Sequence, residues 1–123
     1  MGTSTFLAYK SSTFHFTVYG HGPEPLIAFH GFSESGRSFA SLKPALCTRY
    51  TIYAFDLPFH GATNWNETTP FTKNDLEQII LHFLNEKKIE KFAVLGFSMG
   101  GKCALHLIQV MPEKISALWL LAS

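Results

Sequence analysis

Phe92-Ala93-Val94-Leu95-Gly96-Phe97-Ser98-Met99-Gly100-Gly101 decides the fold of this 123-residue chain. A short continuous apolar run, Phe92 to Leu95, passes through G-x-S-x-G into a second apolar stretch, Met99 to Met111, which stops at Pro112. The first reads as a strand buried on both sides. The second reads as a helix that is apolar nearly all round (Ala104, Leu105, Leu107, Ile108, Val110) and is therefore expected to be buried and central. The glycines between them have a mechanical reason. A strand-to-helix turn this sharp leaves no room for side chains at Gly96 and Gly100, and it holds Ser98 in a strained conformation with its hydroxyl exposed. Ser98 then stands at a helix N-terminus, where the backbone dipoles favour a developing negative charge.

Working outward, three more runs have the same character: Leu26 to Phe29 ending at His30-Gly31, Tyr50 to Phe55 ending at Asp56, and Ile115 to Ala122. Strands without polar alternation suit a mostly parallel sheet covered by helices on both faces. Phe6 to Tyr19, broken at Lys10-Ser11-Ser12, reads instead as an antiparallel pair at a sheet edge, followed by a turn over Gly20 to Pro25. Between the runs lie helical patterns. Ser35 could cap a helix carrying Phe39, Leu42, Ala45 and Leu46 on one face, its last turn made irregular by Pro44. Thr72 to Lys87 is the clearest helix, with Leu76, Ile79, Ile80, Phe83 and Leu84 at helical spacing and a Thr72/Asp75 N-cap. The resulting order, β-β-β-α-β-α-β-α-β, is that of an α/β sandwich.

Composition narrows the function classes. With 46% apolar residues the chain can bury a core, and a formal charge of +1 without a basic run argues against nucleic acid or an anionic membrane surface as partner. No stretch is apolar for long enough to span a membrane, and MGTSTFLAYK is not a signal peptide. A cytoplasmic protein is expected. Cys47 and Cys103 lack metal-ligand spacing and read as buried free thiols rather than a disulfide or a zinc site.

Three motifs carry chemistry. G-x-S-x-G offers a serine. His30-Gly31-Phe32, after an earlier strand, lies where acyl transfer needs backbone N–H donors for an oxyanion, although alone it reads equally as a polar strand end and a turn glycine. Asp56-Leu57-Pro58-Phe59-His60-Gly61 ends the next strand. H-G, then D-x-x-x-H-G, then G-x-S-x-G, each after a strand and in this order, resembles the α/β-hydrolase family over essentially the whole chain. The resemblance implies Ser98 as nucleophile, the N–H groups of Phe32 and Met99 as the oxyanion hole, and His30 shaping the oxyanion loop. It makes Gly31, Asp56, His60, Gly61, Gly96 and Gly100 motif or structural positions, with His60 not assigned as catalytic base.

Serine at the elbow disfavours epoxide opening and halide displacement, which similar folds perform with aspartate. What the resemblance implies is a small-molecule acyl substrate, an ester, thioester or related compound, and chemistry that needs no metal or organic cofactor. The family's acid and base lie well beyond the elbow. After Ser98 the chain has only His106, about 12 Å along the helix by rise, and Glu113, a turn charge beside Pro112. The 123 residues are therefore expected to be the N-terminal part of a hydrolase domain, without lid or later strands, and to have little activity alone. The strand at 115–122 is expected to leave an apolar edge for self-association or a completing chain. The alternative is a non-catalytic module that pairs through that edge. Phe32, Phe59, Trp65 and Phe97 read either as simple packing or as the walls of an apolar substrate pocket.

Overall fold

The computed structural model describes residues 2–31, 35–36 and 46–121. The expected helix from Ser35 to Leu46 falls almost wholly outside them. The elements are β1 (Thr3–Tyr9), β2 (Ser12–Tyr19), β3 (Glu24–Phe29), β4 (Tyr50–Phe55), α1 (Lys73–Lys87), β5 (Phe92–Phe97), α2 (Met99–Val110), a 3₁₀ turn (Pro112–Lys114) and β6 (Ile115–Leu121). They form one six-stranded sheet in the order β1-β2-β4-β3-β5-β6. β1/β2 and β2/β4 are antiparallel, and the remaining three pairings are parallel.

The continuous apolar runs supply both faces of this sheet at once. Ile27 and Phe29 of β3 join Phe14, Phe16 and Phe55 under α1 and α2, whereas Leu26 and Ala28 join Tyr19, Ile52, Ala54 and Leu95 on the other face. Alternate side chains of a strand point to opposite faces, so a strand buried on both must be apolar throughout. α1 lays Leu76, Ile79, Ile80, Phe83 and Leu84 on the first face. It starts where expected. Thr72 N–H donates to Asp75 Oδ2 (2.9 Å) and Thr72 Oγ1 accepts from the Asp75 amide (3.2 Å), a reciprocal capping box. Its end is the left-handed Lys88 (φ 58°).

Two expectations need correction. α2 is not buried all round: Gly100, Ala104 and Leu107 are, but Leu105 is 44% exposed and Val110 is also open. Only one side of this helix has sheet beneath it, and an all-round apolar pattern cannot say whether the other side is covered. The cysteines are free, as expected, but half-buried rather than buried. β6 pairs only with β5, and Trp119, Leu120 and Leu121 are exposed on it. Among the described residues no helix is long and apolar enough to cross a membrane.

Candidate active site

The turn between β5 and α2 is built from backbone against backbone. Ser98 adopts φ 56° and ψ −113°, a conformation that a side-chain-bearing residue holds at a cost of about 1–3 kcal/mol. Tight packing around the turn holds it there. A Cβ on Gly96 would come 2.6 Å from the Gly100 oxygen, and one on Gly100 would overlap the Phe29 carbonyl at the end of β3. The Ser98 amide donates to Leu121 O (2.9 Å) and its carbonyl accepts from Gly101 N–H (2.9 Å), which ties the turn to both β6 and α2. Ser98 is exposed, and its hydroxyl makes no capping bond to the helix. Met99 opens α2, in the first turn where backbone N–H groups have no intrahelical acceptor.

His30 joins the two loops that flank this turn. The Leu57 amide donates to His30 Nε2 (2.8 Å), so Nε2 is an acceptor and Nδ1 carries the proton that it gives to Gly31 O (2.7 Å). The ring is fully buried, neutral in this arrangement, and engaged at both nitrogens. Its neighbour at 4.9 Å between centroids is His60, whose Nδ1 lies 3.0 Å from Pro58 O. Phe32, the expected second oxyanion donor, lies outside the described residues.

Asp56 is buried and points into the scaffold. Its carboxylate meets His15 Nδ1 (2.7 Å), the Ala62 amide (2.9 Å) and the Gly36 amide (2.5 Å), while its carbonyl accepts from Thr63 Oγ1 (2.6 Å). Thr63 Oγ1 in turn accepts from the His15 amide (2.8 Å). Gly61 passes so close, at φ 54°, that a Cβ there would overlap the Asp56 carboxylate. One carboxylate thus fastens β2, the loop after β3 and the loop after β4. His15 was missed as part of this group; a histidine inside the aromatic strand Phe14-His15-Phe16 is the one signal that could have found it.

The other singled-out residues disperse. Trp65 packs on Tyr9, Phe14 and Phe71, and Phe97 packs against the second core face, so neither shares a pocket with Phe59. Phe59 itself is left-handed (φ 69°) and 80% exposed. Glu113 is exposed on the 3₁₀ turn. His106 is half-buried, with Nε2 lacking a hydrogen bond and Glu77 Oε1 3.8 Å away.

A cavity of about 330 Å³ lies between the loop at 57–60, the start of α1 and the first turns of α2, with Met99, His60 and His106 in its walls. A wider hollow of about 520 Å³, bounded by Gly22, Tyr53 and Lys88, sits at the amino ends of β3 and β4. Ligands of open α/β sheets bind at the carboxyl ends of the strands, which makes the smaller cavity the one relevant to Ser98.

Residues 24–123 match the family model described as the alpha/beta hydrolase fold. An uncharacterised hydrolase of Bacillus subtilis (strain 168), YugF, is 32% identical over 102 residues, covering 83% of this chain and 37% of its own length. The pimeloyl-[acyl-carrier protein] methyl ester esterase of Legionella pneumophila (strain Corby) is 34% identical over 104 residues, covering 85% of this chain and 39% of that enzyme. Among solved structures, the thioesterase domain from the curacin biosynthetic pathway superposes with a TM-score of 0.85 at 24% identity, over 98% of this chain and 46% of its own. The chain therefore spans less than half the length of each of these proteins. With the family model matched over most of its residues and the strand-turn-helix at Ser98 in place, the chain belongs to the α/β-hydrolase family.

Proposed function

We propose that the chain carries the nucleophile-bearing part of a serine hydrolase that acts on an ester, thioester or related small acyl compound through a Ser98 acyl-enzyme. The observation that carries this reading is the conformation of Ser98, strained at φ 56° and exposed at the start of α2. In the reaction, Ser98 Oγ attacks the acyl carbon, the oxyanion is met by the N–H groups of Met99 and Phe32, and the alcohol or thiol departs with a proton. Water then releases the acid. His30, Asp56, His60 and Gly61 are positioning residues that hold the loops around Ser98. The general base and its acid are assigned outside these 123 residues: His15 and His30 are tied into the scaffold, His60 is held against Pro58 O, His106 stands two turns along α2, His82 lies far along α1 and His21 precedes the amino end of β3. No cofactor enters this chemistry. The esterase relative supports the substrate class, and two free thiols fit a reducing, cytoplasmic setting.

The test is hydrolysis of p-nitrophenyl esters and acyl thioesters by the intact protein. Ser98→Ala should lower kcat by about 10⁶. A variant that keeps its rate overturns the assignment.

A second reading is favoured by the exposed Leu120 and Leu121 on the open edge of β6: a non-catalytic module that docks a partner there. A well-folded oligomer by light scattering, with no hydrolysis of any of these esters, is its signature.

A further inference from the structure

We propose that the cavity beside the Ser98 turn is the acyl pocket of this protein, and that it takes an aliphatic chain ending in an anionic group. The assignment rests on the serine-hydrolase reading for its role; the binding itself rests on the cavity alone. Its walls are the side chains of Leu57, Pro58, Phe71, Leu76, Met99 and Cys103. Burial pushes the Cys103 thiol up to about 11, so it stays neutral and serves as one more apolar surface. At about 330 Å³ the space is at the small end of the range for small-molecule sites, roughly 300–1,000 Å³. Met99 places one wall next in sequence to the serine that would hold the acyl carbon.

The charge around the cavity is one-sided. Lys73, at the start of α1, and Lys102, in the first turn of α2, line it from opposite sides. Among the described residues neither makes an ion pair. His106 adds an Nε2 that is buried without a hydrogen bond. The carboxylates nearby are directed elsewhere: Asp75 receives Tyr9 and Thr72, and Glu77 faces His106 at 3.8 Å without lining the cavity. An apolar hollow with two unpaired ammonium groups at its rim selects a ligand that is apolar along its length and negative at its end.

The experiment is calorimetric titration of the intact protein with three ligands sharing one tail: octanoate, 1-octanol and octyltrimethylammonium. Octanoate should bind about fivefold more tightly than octanol, with the ammonium compound weakest. Affinity should rise by about fourfold per added CH₂ from butanoate to octanoate. Lys73→Ala combined with Lys102→Ala, both exposed substitutions, should erase the preference for octanoate, and Cys103→Phe should weaken all three ligands at least tenfold. Equal binding of the three by the unaltered protein, or undiminished octanoate binding by Cys103→Phe, overturns the proposal. Ser98→Ala should bind octanoate like the unaltered protein, which separates the two readings. Octanoate selectivity without ester hydrolysis removes the nucleophile and leaves the pocket, whereas hydrolysis without octanoate binding removes the pocket alone.

Discussion

The sheet from β1 to β5 and the flank formed by β6 and the outer side of α2 are built to different standards. In the first region every residue from Leu26 to Phe29 is buried, polar groups such as Asp56 and His30 are fully engaged, and α1 closes the face. In the second, Leu105, Trp119, Leu120 and Leu121 face outward and the edge of β6 has no neighbour among the described residues. The Ser98 turn sits on the seam, bonded to Leu121 on one side and packed on Phe29 on the other. On its β3 side the turn rests on buried strand, and on its β6 side the sheet is open among the described residues. The strained Ser98 is thus held between two regions of very different packing.

This contrast can be broken most directly at Asp56. Asp56→Ala strands the buried His15 ring and the amides of Gly36 and Ala62, and should cost about 3–5 kcal/mol in urea unfolding. A loss under 1 kcal/mol would show that the scaffold does not depend on this carboxylate.

Tyr9 tests the same region at smaller amplitude. Its hydroxyl donates to Asp75 Oδ1 (2.6 Å), and Tyr9→Phe should cost about 1.5–3 kcal/mol at pH 7. The pH dependence has a definite sign at each end. Burial and then the Asp75 hydrogen bond push the Tyr9 hydroxyl up to about 12. Its contribution is complete below the ordinary tyrosine value of 10.0 and fades as pH rises toward 12. Burial pushes the Asp75 carboxyl up, but the hydrogen bonds from Tyr9 and Thr72 together with Lys10 outweigh it and hold it below 3.8. That contribution is present above 3.8 and is lost as pH falls through the lowered value. Unfolding curves of the two proteins should therefore converge in strong acid and draw together again as pH rises from 10.0 toward about 12.

The smallest effect belongs to the open flank. Leu120→Lys should change stability by no more than about 0.5 kcal/mol, since Leu120 is 48% exposed, while reducing self-association in light scattering. A cost above 2 kcal/mol would mean that β6 is packed as tightly as β3.

How much of this was legible beforehand follows from what each pattern encodes. The apolar runs of β3, β4 and β5 announce double-sided burial because a strand's two faces are read directly from consecutive residues. Thr72 and Asp75 announce the start of α1 because capping is local. The Asp56–His15 contact was not legible: it spans 41 residues and depends on β2 lying against β4 rather than β3, which no local pattern specifies. Trp65 was ambiguous for the same reason, since its partners Tyr9 and Phe14 arrive through the hairpin. The overestimate of α2 burial has another origin. Hydrophobicity records how apolar a surface is, and it is silent on whether another element covers it.

The most direct test of the Ser98 assignment is labelling of the intact protein with a fluorophosphonate probe, read by tandem mass spectrometry. A single adduct on Ser98, absent from Ser98→Ala, is the predicted result. A protein that remains unlabelled, or an adduct on any other residue, would contradict it.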